Sequence, residues 1–468
     1  MNIKKDLIKP LILLVVLPNI FFVLAASYFH LGRSLVNLDY LFAALLVVSP
    51  FTIIGYVLFA IFLLVDLLAL VSQIFQFVRL DNLLYLSSFI LEAPTTYQLT
   101  TAFGAVIILI FFWGVFSIKK NVGAAHTLVL FNLAIVIYAV SFYSDSRSIE
   151  EQRVWRVDNP PLVGSPTYYT WRLRSDLFFQ SVFLDGQVFS DHKISGATSK
   201  AYSNLEQEKY QKVLLIVNES WGVVHNDNIN AKLLSPLKQL NDKITDFSSG
   251  EFGFSGATVA GELRELCNLA PLHFNLKDVK EGFQHCLPHK LKQQGFNTTA
   301  FHAASGVLYD RIYWYKTAGF NNFYFFEHLN WDRRCFSYPG GCDFEIIHDV
   351  TKSLSEPGKQ FVYWLTLNSH ATYDKRDIVL DIFNCEEFDV DPSTQSCRNL
   401  KLQAQFFATL SKAIENAELD NALVIVVSDH APIISDQEEK IRYFVDNKVN
   451  WLSFTVKADI SNSMTSVD

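Results

Sequence analysis

The chain of 468 residues is too long for one small domain and long enough for two or three. Half of its residues are hydrophobic and only 18% are charged, which is low for a wholly soluble protein and indicates that part of the chain lies in a membrane. The formal net charge of −8 argues against a nucleic-acid-binding protein, because such proteins carry a basic surface.

The first 143 residues consist mainly of apolar runs, several of them long enough for a helix to cross a bilayer. The longest run, from Tyr40 to Val78, has about 39 residues and would measure about 58 Å as one helix, roughly twice the hydrocarbon core. Pro50 and Gly55 interrupt this run, so it is predicted to form two helices that fold back on each other. The predicted spans are residues 10–29, 40–56, 57–78, 99–117 and 124–143.

The number of spans depends on that break, since the apolar runs alone allow four or five. Lys4, Lys5 and Lys9 precede the first span, and Lys119 and Lys120 lie between the last two. Short loops rich in lysine stay in the cytoplasm. Five spans put both groups of lysines there and the rest of the chain outside, so we predict a five-helix transmembrane bundle.

Polar residues follow the last span and mark a connector, from about 146 to 210, that is expected to lie partly at the membrane surface. The transmembrane domain is accordingly assigned to residues 1–145 and an extracytoplasmic domain to residues 211–468. Asp66 lies inside the third predicted span, where an ionisable residue is unusual. It is either a functional residue or a residue that faces a neighbouring helix.

All six cysteines lie in the extracytoplasmic domain and fall into three pairs at short spacing. Such pairs predict disulfides and therefore an oxidising compartment. Unpaired buried thiols are the alternative, and a zinc site is a weaker one because no CxxC occurs. The predicted pairs are Cys267–Cys286, Cys335–Cys342 and Cys385–Cys397.

Four apolar stretches of this domain each end in a residue that can bind a metal or a phosphate. Because they alternate with helical stretches, they predict βαβ units and a mainly parallel central sheet with helices on both faces. In such sheets the ligand binds beyond the carboxyl ends of the strands. Any one of these residues could be a strand-terminal cap, but the four together predict a site at one edge. They are Glu219, His302, His370 and the pair Asp429–His430.

The segment from Phe254 to Thr258 is predicted to be a loop that runs into a helix. A residue at a helix N-terminus meets free backbone N–H groups, where a phosphate binds well. Thr258 could there be activated by a metal and attack phosphorus, although an ordinary N-cap is the more common role for a threonine in this position. Ser255 competes for the role of nucleophile.

Together these residues resemble the membrane-bound phosphoglycerol and phosphoethanolamine transferases of the alkaline phosphatase/sulfatase superfamily, a group that includes lipoteichoic acid synthases. The run from Thr258 to Cys267 is similar to the phosphoglycerol-type form, in which Thr-x-Ala-Gly leads to a cysteine. The resemblance spans roughly residues 211–435. It implies a superfamily α/β domain on the periplasmic side of the bacterial inner membrane, anchored by the five-helix bundle.

The resemblance also implies roles for individual residues. Glu219, Thr258, Asp429 and His430 would hold one divalent metal, zinc or manganese, with Thr258 as the nucleophile. A second metal is left open, because the chain has no histidine after His430. The residues that would contact the phosphate and the head group are His302, Tyr309, Arg311 and His370.

The implied function is transfer of phosphoglycerol or phosphoethanolamine from a membrane phospholipid, through a phospho-threonine, to a glycan or lipid of the cell envelope. The alternatives are a phosphodiesterase of the same fold and a non-catalytic, lipid-sensing membrane scaffold. Sulfate ester hydrolysis is disfavoured, since no C/S-x-P-x-R motif for formylglycine occurs. The chain also departs from the family at Ala431 and Pro432, where a glycine usually follows the Asp-His pair.

Overall fold

The computed structural model divides the chain into two compact units, residues 1–184 and 185–468. Most of the predicted connector, 146–210, lies outside the described residues. The structure describes residues 8–28, 33–74, 95–144, 161–172, 187–190, 195–201 and 210–458, the last range without 273, 330–332, 339, 372, 417 and 435.

Apolar helices make up most of the first unit. Among the described residues, four stretches are long and apolar enough to cross a membrane: Ile8–Ser27, Thr52–Leu70, Ala102–Asn121 and Ala124–Ser141. The elements are a π-helical stretch at Ile12–Val16, α1 (Leu17–Tyr28), β1 (Val36–Asn37), α2 (Leu38–Val48), α3 (Thr52–Ile74), α4 (Thr95–Asn121), α5 (Ala124–Ser144), β2 (Val163–Gly164) and α6 (Pro166–Arg172).

The predicted second span is wrong in its length. The chain breaks around Pro50, as predicted, but α2 has only 11 residues. It measures about 16 Å, which is roughly half of the hydrocarbon core. The helix starts where Asn37 forms an N-cap, with the Asn37 side chain accepting a hydrogen bond from the Asp39 N–H at 2.9 Å. Helices α2 and α3 therefore replace the predicted spans 40–56 and 57–78.

The helices of this unit nevertheless alternate in direction, as five spans would. Lys9, at the start of the first helix, donates to the Asn121 side chain at the end of α4 over 2.6 Å. Lys119, also near the end of α4, donates to the Thr52 hydroxyl at the start of α3 over 2.9 Å. The α2–α3 turn and the α4–α5 turn therefore lie at the end where the first helix begins. Lys9 and Lys119, which were predicted to share one side of the membrane, lie at one end of the bundle.

Asp66 is buried in this unit and has several partners. Its carboxylate accepts hydrogen bonds from the Asn37 side chain at 3.1 Å and the Tyr40 hydroxyl at 3.0 Å, and it forms an ion pair with Arg33. Of the two interpretations of Asp66, the contacts match the one in which it faces a neighbouring helix. These contacts of Asp66 connect the start of α2 to the middle of α3.

The second unit is an α/β domain whose described residues form one eight-stranded sheet, a small two-stranded ladder and the surrounding helices. Its elements are α7 (Ala197–Ala201), β3 (Lys212–Asn218), β4 (Gly222–Val224), α8 (Asp227–Leu233), α9 (Ser235–Lys238), β5 (Ile244–Gly253), α10 (Thr258–Cys267), α11 (Leu287–Gln293), β6 (Asn297–His302), α12 (Arg311–Ala318), β7 (Asn322–Tyr324), β8 (Arg334–Cys335), β9 (Gly340–Gly341), α13 (Asp343–Ser355), β10 (Gln360–Leu365), α14 (Gln395–Glu415), β11 (Ala422–Ser428), α15 (Gln437–Tyr443) and β12 (Phe444–Val456).

The sheet has the order β4-β12-β11-β3-β10-β6-β7, and β5 also pairs with β12. Strands β11, β3, β10, β6 and β7 are parallel to one another, whereas β12 pairs antiparallel with β11, β4 and β5. The prediction of a mainly parallel sheet is therefore right for the centre, but the sheet as a whole is mixed. Its antiparallel edge had not been predicted.

Helices cover both faces of the sheet, as predicted. Along β10, Val362 and Trp364 belong to the apolar cluster that includes residues of α13 and α14. The alternate residues point to the opposite face. There the Tyr363 ring lies 6.1 Å from that of Tyr315 in α12, and the Phe361 ring 6.2 Å from that of Phe320. This double burial explains why the central strands are continuous apolar runs.

The three predicted disulfides, Cys267–Cys286, Cys335–Cys342 and Cys385–Cys397, are all present, and no cysteine in the described part of the chain is free. The first ties the last residue of α10 to the residue that precedes α11. The prediction from the spacing is confirmed.

Replacing Cys267 and Cys286 together by serine is expected to lower the free energy of unfolding by about 3 kcal/mol, because the bridge closes a loop of 19 residues and restricts the unfolded chain. Thermal unfolding of the variant and the wild type in the same detergent measures the difference. Peptide mapping without reductant provides the control, and free thiols at both positions of the wild type would contradict the expectation.

Candidate active site

Four neighbouring parallel strands bring the predicted site residues to one edge of the sheet. Ser428 of β11 pairs with Asn218 of β3, and Leu365 of β10 pairs with both Val217 and His302. The strand ends are thus in register, and the residues after them leave the sheet side by side. These residues are Glu219, Asp429, His430 and, beyond a short loop, His370.

Glu219, Asp429 and His430 form a buried cluster in which one ligand atom of each lies within 4.8 Å of the others. His430 Nε2 is 3.3 Å from Glu219 Oε1 and 3.3 Å from Asp429 Oδ2. His430 Nδ1 lies 2.9 Å from the Ala431 carbonyl oxygen. A carbonyl can only accept, so Nδ1 donates a proton there and Nε2 is the ring nitrogen that faces the carboxylates.

The cluster has the properties of a cation site. Asp429 Oδ2 is buried and has no hydrogen-bond partner among the described residues. Burial and the Glu219 carboxylate raise the pKa of Asp429 to about 7. Burial alone would lower the pKa of His430, but the two carboxylates raise it. A divalent ion removes this repulsion, and carboxylate and imidazole ligands suit zinc or manganese. The residues therefore fit the predicted metal.

Thr258 lies next to this cluster. It is the first residue of α10, and Ala257 is the N-cap, so the N-cap interpretation of Thr258 is wrong. The Thr258 hydroxyl oxygen is 3.5 Å from Glu219 Oε2 and 3.4 Å from His430 Nε2. It also lies at a helix N-terminus, where the first N–H groups have no acceptor within the helix. The competing Ser255 is exposed.

Gly261 explains how α10 comes so close to the strand end. A Cβ at this position would lie 2.7 Å from the Asp429 carbonyl oxygen and 2.8 Å from the Asp429 Cα. Only a residue without a side chain permits this approach. The glycine of the Thr-x-Ala-Gly run therefore sets the distance between the helix that begins with Thr258 and the cluster of Glu219, Asp429 and His430.

The residues predicted on the phosphate side lie across the same edge. His302 Nδ1 is 3.1 Å from the Leu365 carbonyl oxygen and therefore donates to it, which leaves Nε2 as an acceptor. Burial, and then the charge of Arg311, lower the pKa of His302 well below its usual range. Burial lowers the pKa of His370 to about 4. Both imidazoles are therefore neutral near pH 7 in the free protein.

Tyr309 and Arg311 lie beside these histidines. The Arg311 guanidinium is 5.0 Å from the centre of the Tyr309 ring. Tyr309 has a left-handed backbone with a φ of 58°, a conformation that costs energy and is often found at functional sites. Burial raises the pKa of the Tyr309 hydroxyl well above its usual range, and the charge of Arg311 opposes that rise.

Some residues of the site had not been predicted. Tyr338 packs its ring 4.7 Å from that of His370, and burial raises the pKa of its hydroxyl. The buried charged residues of α10, which include Glu262 one turn after Thr258, were also missed. For Glu262, the signal in the sequence is its i, i+4 spacing from Thr258, which places both residues on one side of the helix.

The buried His302 predicts a loss of stability in acid. Its folded pKa lies below the unfolded value of 6.5, so below that pH the unfolded chain binds a proton that the folded protein excludes. Each pH unit below that value costs about 1.4 kcal/mol until the folded pKa is reached. His302→Gln is expected to remove this share of the acid sensitivity. Denaturant unfolding at pH 7 and pH 5.5 measures the free energy of unfolding of the wild type and the variant. An equal loss of stability in both proteins between these pH values would contradict the prediction.

The fold and the site together define a class of proteins. The family model for sulfatases matches residues 211–451, which hold most of the sheet, Thr258 and the cluster of Glu219, Asp429 and His430. The chain belongs to the Sulfatase family.

Among curated proteins, the chain is similar to the lipoteichoic acid synthase-like protein YvgJ of Bacillus subtilis, with 23% identity over 290 residues. The match covers 58% of this chain and 46% of that protein, so the chain spans about half the length of its curated relative.

Among solved structures, the lipoteichoic acid synthase LtaP of Listeria monocytogenes is 16% identical, with 54% of this chain and 67% of that chain covered and a TM-score of 0.37. The phosphoglycerol transferase GacH of Streptococcus pyogenes, in complex with sn-glycerol-1-phosphate, is 14% identical, with 57% and 78% covered and a TM-score of 0.39. The periplasmic domain of EptC from Escherichia coli is 13% identical, with 58% and 77% covered and a TM-score of 0.35.

Proposed function

We propose that this chain is a metal-dependent transferase. It moves phosphoglycerol or phosphoethanolamine from a membrane phospholipid to a glycan or lipid of the cell envelope, through a phospho-threonine at Thr258. The observation that carries the proposal is the Thr258 hydroxyl, which lies within 3.5 Å of both Glu219 and His430 at a helix N-terminus. Membership of the Sulfatase family and the likeness to a lipoteichoic acid synthase-like protein support this class of reaction.

Glu219, Asp429 and His430 would hold one divalent ion, zinc or manganese, with Thr258 as a further ligand. Such an ion polarises the phosphoryl group and favours the ionised form of the hydroxyl. The N-terminus of α10 adds backbone N–H groups that stabilise negative charge on phosphate oxygens.

In the first step, the Thr258 hydroxyl loses its proton to solvent and Thr258 Oγ attacks phosphorus. The bond from phosphorus to the diacylglycerol oxygen breaks, and His302 or His370, which has taken up a proton from solvent, protonates that oxygen. Both imidazoles are neutral in the free protein, so the charge of the bound phosphate must first raise the pKa of the one that acts. In the second step the same imidazole takes the proton of an acceptor hydroxyl, whose oxygen displaces Thr258 Oγ. Arg311 and Tyr309 hold the phosphate and the head group.

The chain is proposed to be a multi-pass protein of the bacterial inner membrane, with the second unit on the periplasmic side. Lys9 and Lys119 lie at one end of the helices, and the positive-inside rule assigns that end to the cytoplasm. Helix α5 starts at this end and runs to the opposite one. Three disulfides in the second unit agree with an oxidising compartment.

The proposal is tested by adding phosphatidylglycerol and phosphatidylethanolamine, each labelled in the head group, to the purified full-length protein in liposomes with an envelope extract as acceptor. One lipid is expected to lose its head group, diacylglycerol is expected to accumulate, and the label is expected to enter an acceptor. Label released only as a free phosphate ester would identify a phosphodiesterase instead. Intact lipids in the presence of bound metal would identify a non-catalytic scaffold.

A further inference from the structure

Helix α10 carries three charged residues that are all buried, although a charged residue on a short helix is usually solvated. The exposed fraction is 0% for Glu262, 0% for Arg264 and 2% for Glu265. Burying a charge costs free energy unless the charge is paired and hydrogen-bonded. The partners of these three residues therefore indicate their role.

Glu262 contacts Arg311, one of the residues that would bind the phosphate. Its Oε2 accepts a hydrogen bond from Arg311 Nε at 2.9 Å and lies 2.7 Å from Arg311 Nη2 in an ion pair, while Oε1 accepts from the hydroxyls of Tyr315 and Tyr363. Among the residues that the structure describes, the contact of Arg311 Nη1 is a long one of 3.4 Å to the Leu308 carbonyl oxygen. The carboxylate therefore fixes one edge of the guanidinium and leaves N–H groups on the other edge for an anion.

Arg264 contacts the backbone at Ser428 and Asp429, next to the cluster that would bind the metal. Its Nη2 donates to the Ser428 carbonyl oxygen at 2.6 Å and its Nη1 to that of Asp429 at 3.2 Å. Its Nε donates to Glu265 at 2.6 Å, which balances the charge. The guanidinium also lies 4.1 Å from the centre of the Phe254 ring, in the loop that leads to Thr258. Arg264 thus joins the end of β11 to the nucleophile helix.

We propose that Glu262 and Arg264 are positioning residues, one for each side of the site. Glu262 orients Arg311 towards the phosphate, and Arg264 holds Asp429 in place as a metal ligand. Because both residues belong to the helix that begins with Thr258, α10 fixes the nucleophile, the phosphate-binding group and the metal ligand relative to one another. The roles of Arg311 and Asp429 in this inference rest on the proposed function.

The two sides can be separated by substitution. Glu262→Gln keeps the size of the side chain but loses the charge-assisted pair with Arg311, so the affinity for inorganic phosphate at saturating zinc is expected to fall about 10-fold with zinc affinity unchanged. Arg264→Lys keeps a charge beside Glu265, but one ammonium group cannot replace the fork that reaches two carbonyl oxygens. Zinc affinity is expected to fall about 10- to 100-fold.

The measurements are made on the full-length protein in detergent, with zinc affinity from competition with a chromophoric chelator and phosphate affinity from calorimetry. Two surface substitutions serve as matched controls and are expected to change neither constant. Glu251→Gln removes a charge that is paired with Lys448 on the surface, and Arg442→Lys alters an exposed guanidinium.

If either main variant fails to fold, a milder one takes its place. Tyr363→Phe removes one hydrogen bond to Glu262, and Glu265→Gln weakens the partner of Arg264. Each is expected to shift the same constant in the same direction by a smaller factor, about 2- to 5-fold.

The proposal is supported if Glu262→Gln lowers only the phosphate affinity and Arg264→Lys lowers only the zinc affinity. Equal changes in both constants for either variant would overturn it, as would lower thermal stability with both affinities intact. Neither measurement needs turnover. A wild-type protein that binds zinc and phosphate but transfers no head group would therefore reject the proposed function without affecting this result.

Discussion

Thr258→Ala is expected to reduce head-group transfer by about 10⁴-fold or more, because it removes the group that forms a bond to phosphorus in the first step of the proposed mechanism. The fold and the proposed metal site are expected to remain, since Glu219, Asp429 and His430 would supply the other ligands. The rate is measured with head-group-labelled phospholipid in liposomes, and bound metal is measured on the same sample.

Two neighbouring substitutions serve as controls for this prediction. Thr258→Ser keeps a hydroxyl at the same backbone position and is expected to retain part of the activity. Ser255→Ala removes the exposed hydroxyl of the loop before α10 and is expected to retain nearly all of it. Normal transfer by Thr258→Ala, or its loss in Ser255→Ala, would assign the nucleophile to another residue.

Asp429→Asn is expected to have opposite effects on metal binding and on stability. Loss of a residue that hydrogen-bonds to a metal ligand weakens metal binding by about 10- to 100-fold. Loss of the ligand itself should cost more, so zinc affinity is expected to fall by more than about 100-fold, and the rate of head-group transfer should fall with it. The metal-free variant should be more stable than the metal-free wild type by roughly 1 to 3 kcal/mol, because burial and Glu219 raise the pKa of the Asp429 carboxyl to about 7.

The two effects are measured by chelator competition and by thermal unfolding after dialysis against chelator. Asp381→Asn removes a carboxylate from a surface pair with Lys401 and is the matched control, with neither quantity expected to change. A metal-free Asp429→Asn protein that is less stable than the metal-free wild type would contradict this expectation. It would show that the Asp429 carboxylate stabilises the fold instead of destabilising it in the absence of metal.

The central strands could be predicted because strands that are buried on both faces are continuous apolar runs. Strands β3, β10 and β11 have this pattern, and the residue types at their ends pointed to the site. Strands β5 and β12 lack it. The burial of β5 is low along most of its length, and β12 mixes buried polar residues such as Asn450 and Ser453 with apolar ones. The antiparallel edge was missed for this reason.

The predicted span 40–56 and α2 differ mainly at their ends, because α2 stops at Val48 just before Ser49-Pro50 and the next helix starts at Thr52. Hydropathy does not show this stop, because the residues on both sides of it are apolar. The charges of Glu262 and Arg264 were missed for a related reason. A glutamate or arginine in a helix is usually at the surface, and only tertiary structure shows that both are buried against Arg311 and the end of β11.

The most direct test of the phospho-threonine mechanism is mass spectrometry of the Thr258 peptide after the protein has been incubated with head-group-labelled phospholipid in the absence of an acceptor. The predicted result is a labelled phosphodiester on Thr258, together with an equal amount of diacylglycerol. Diacylglycerol release with an unmodified Thr258 peptide, or label on a different residue, would contradict the mechanism.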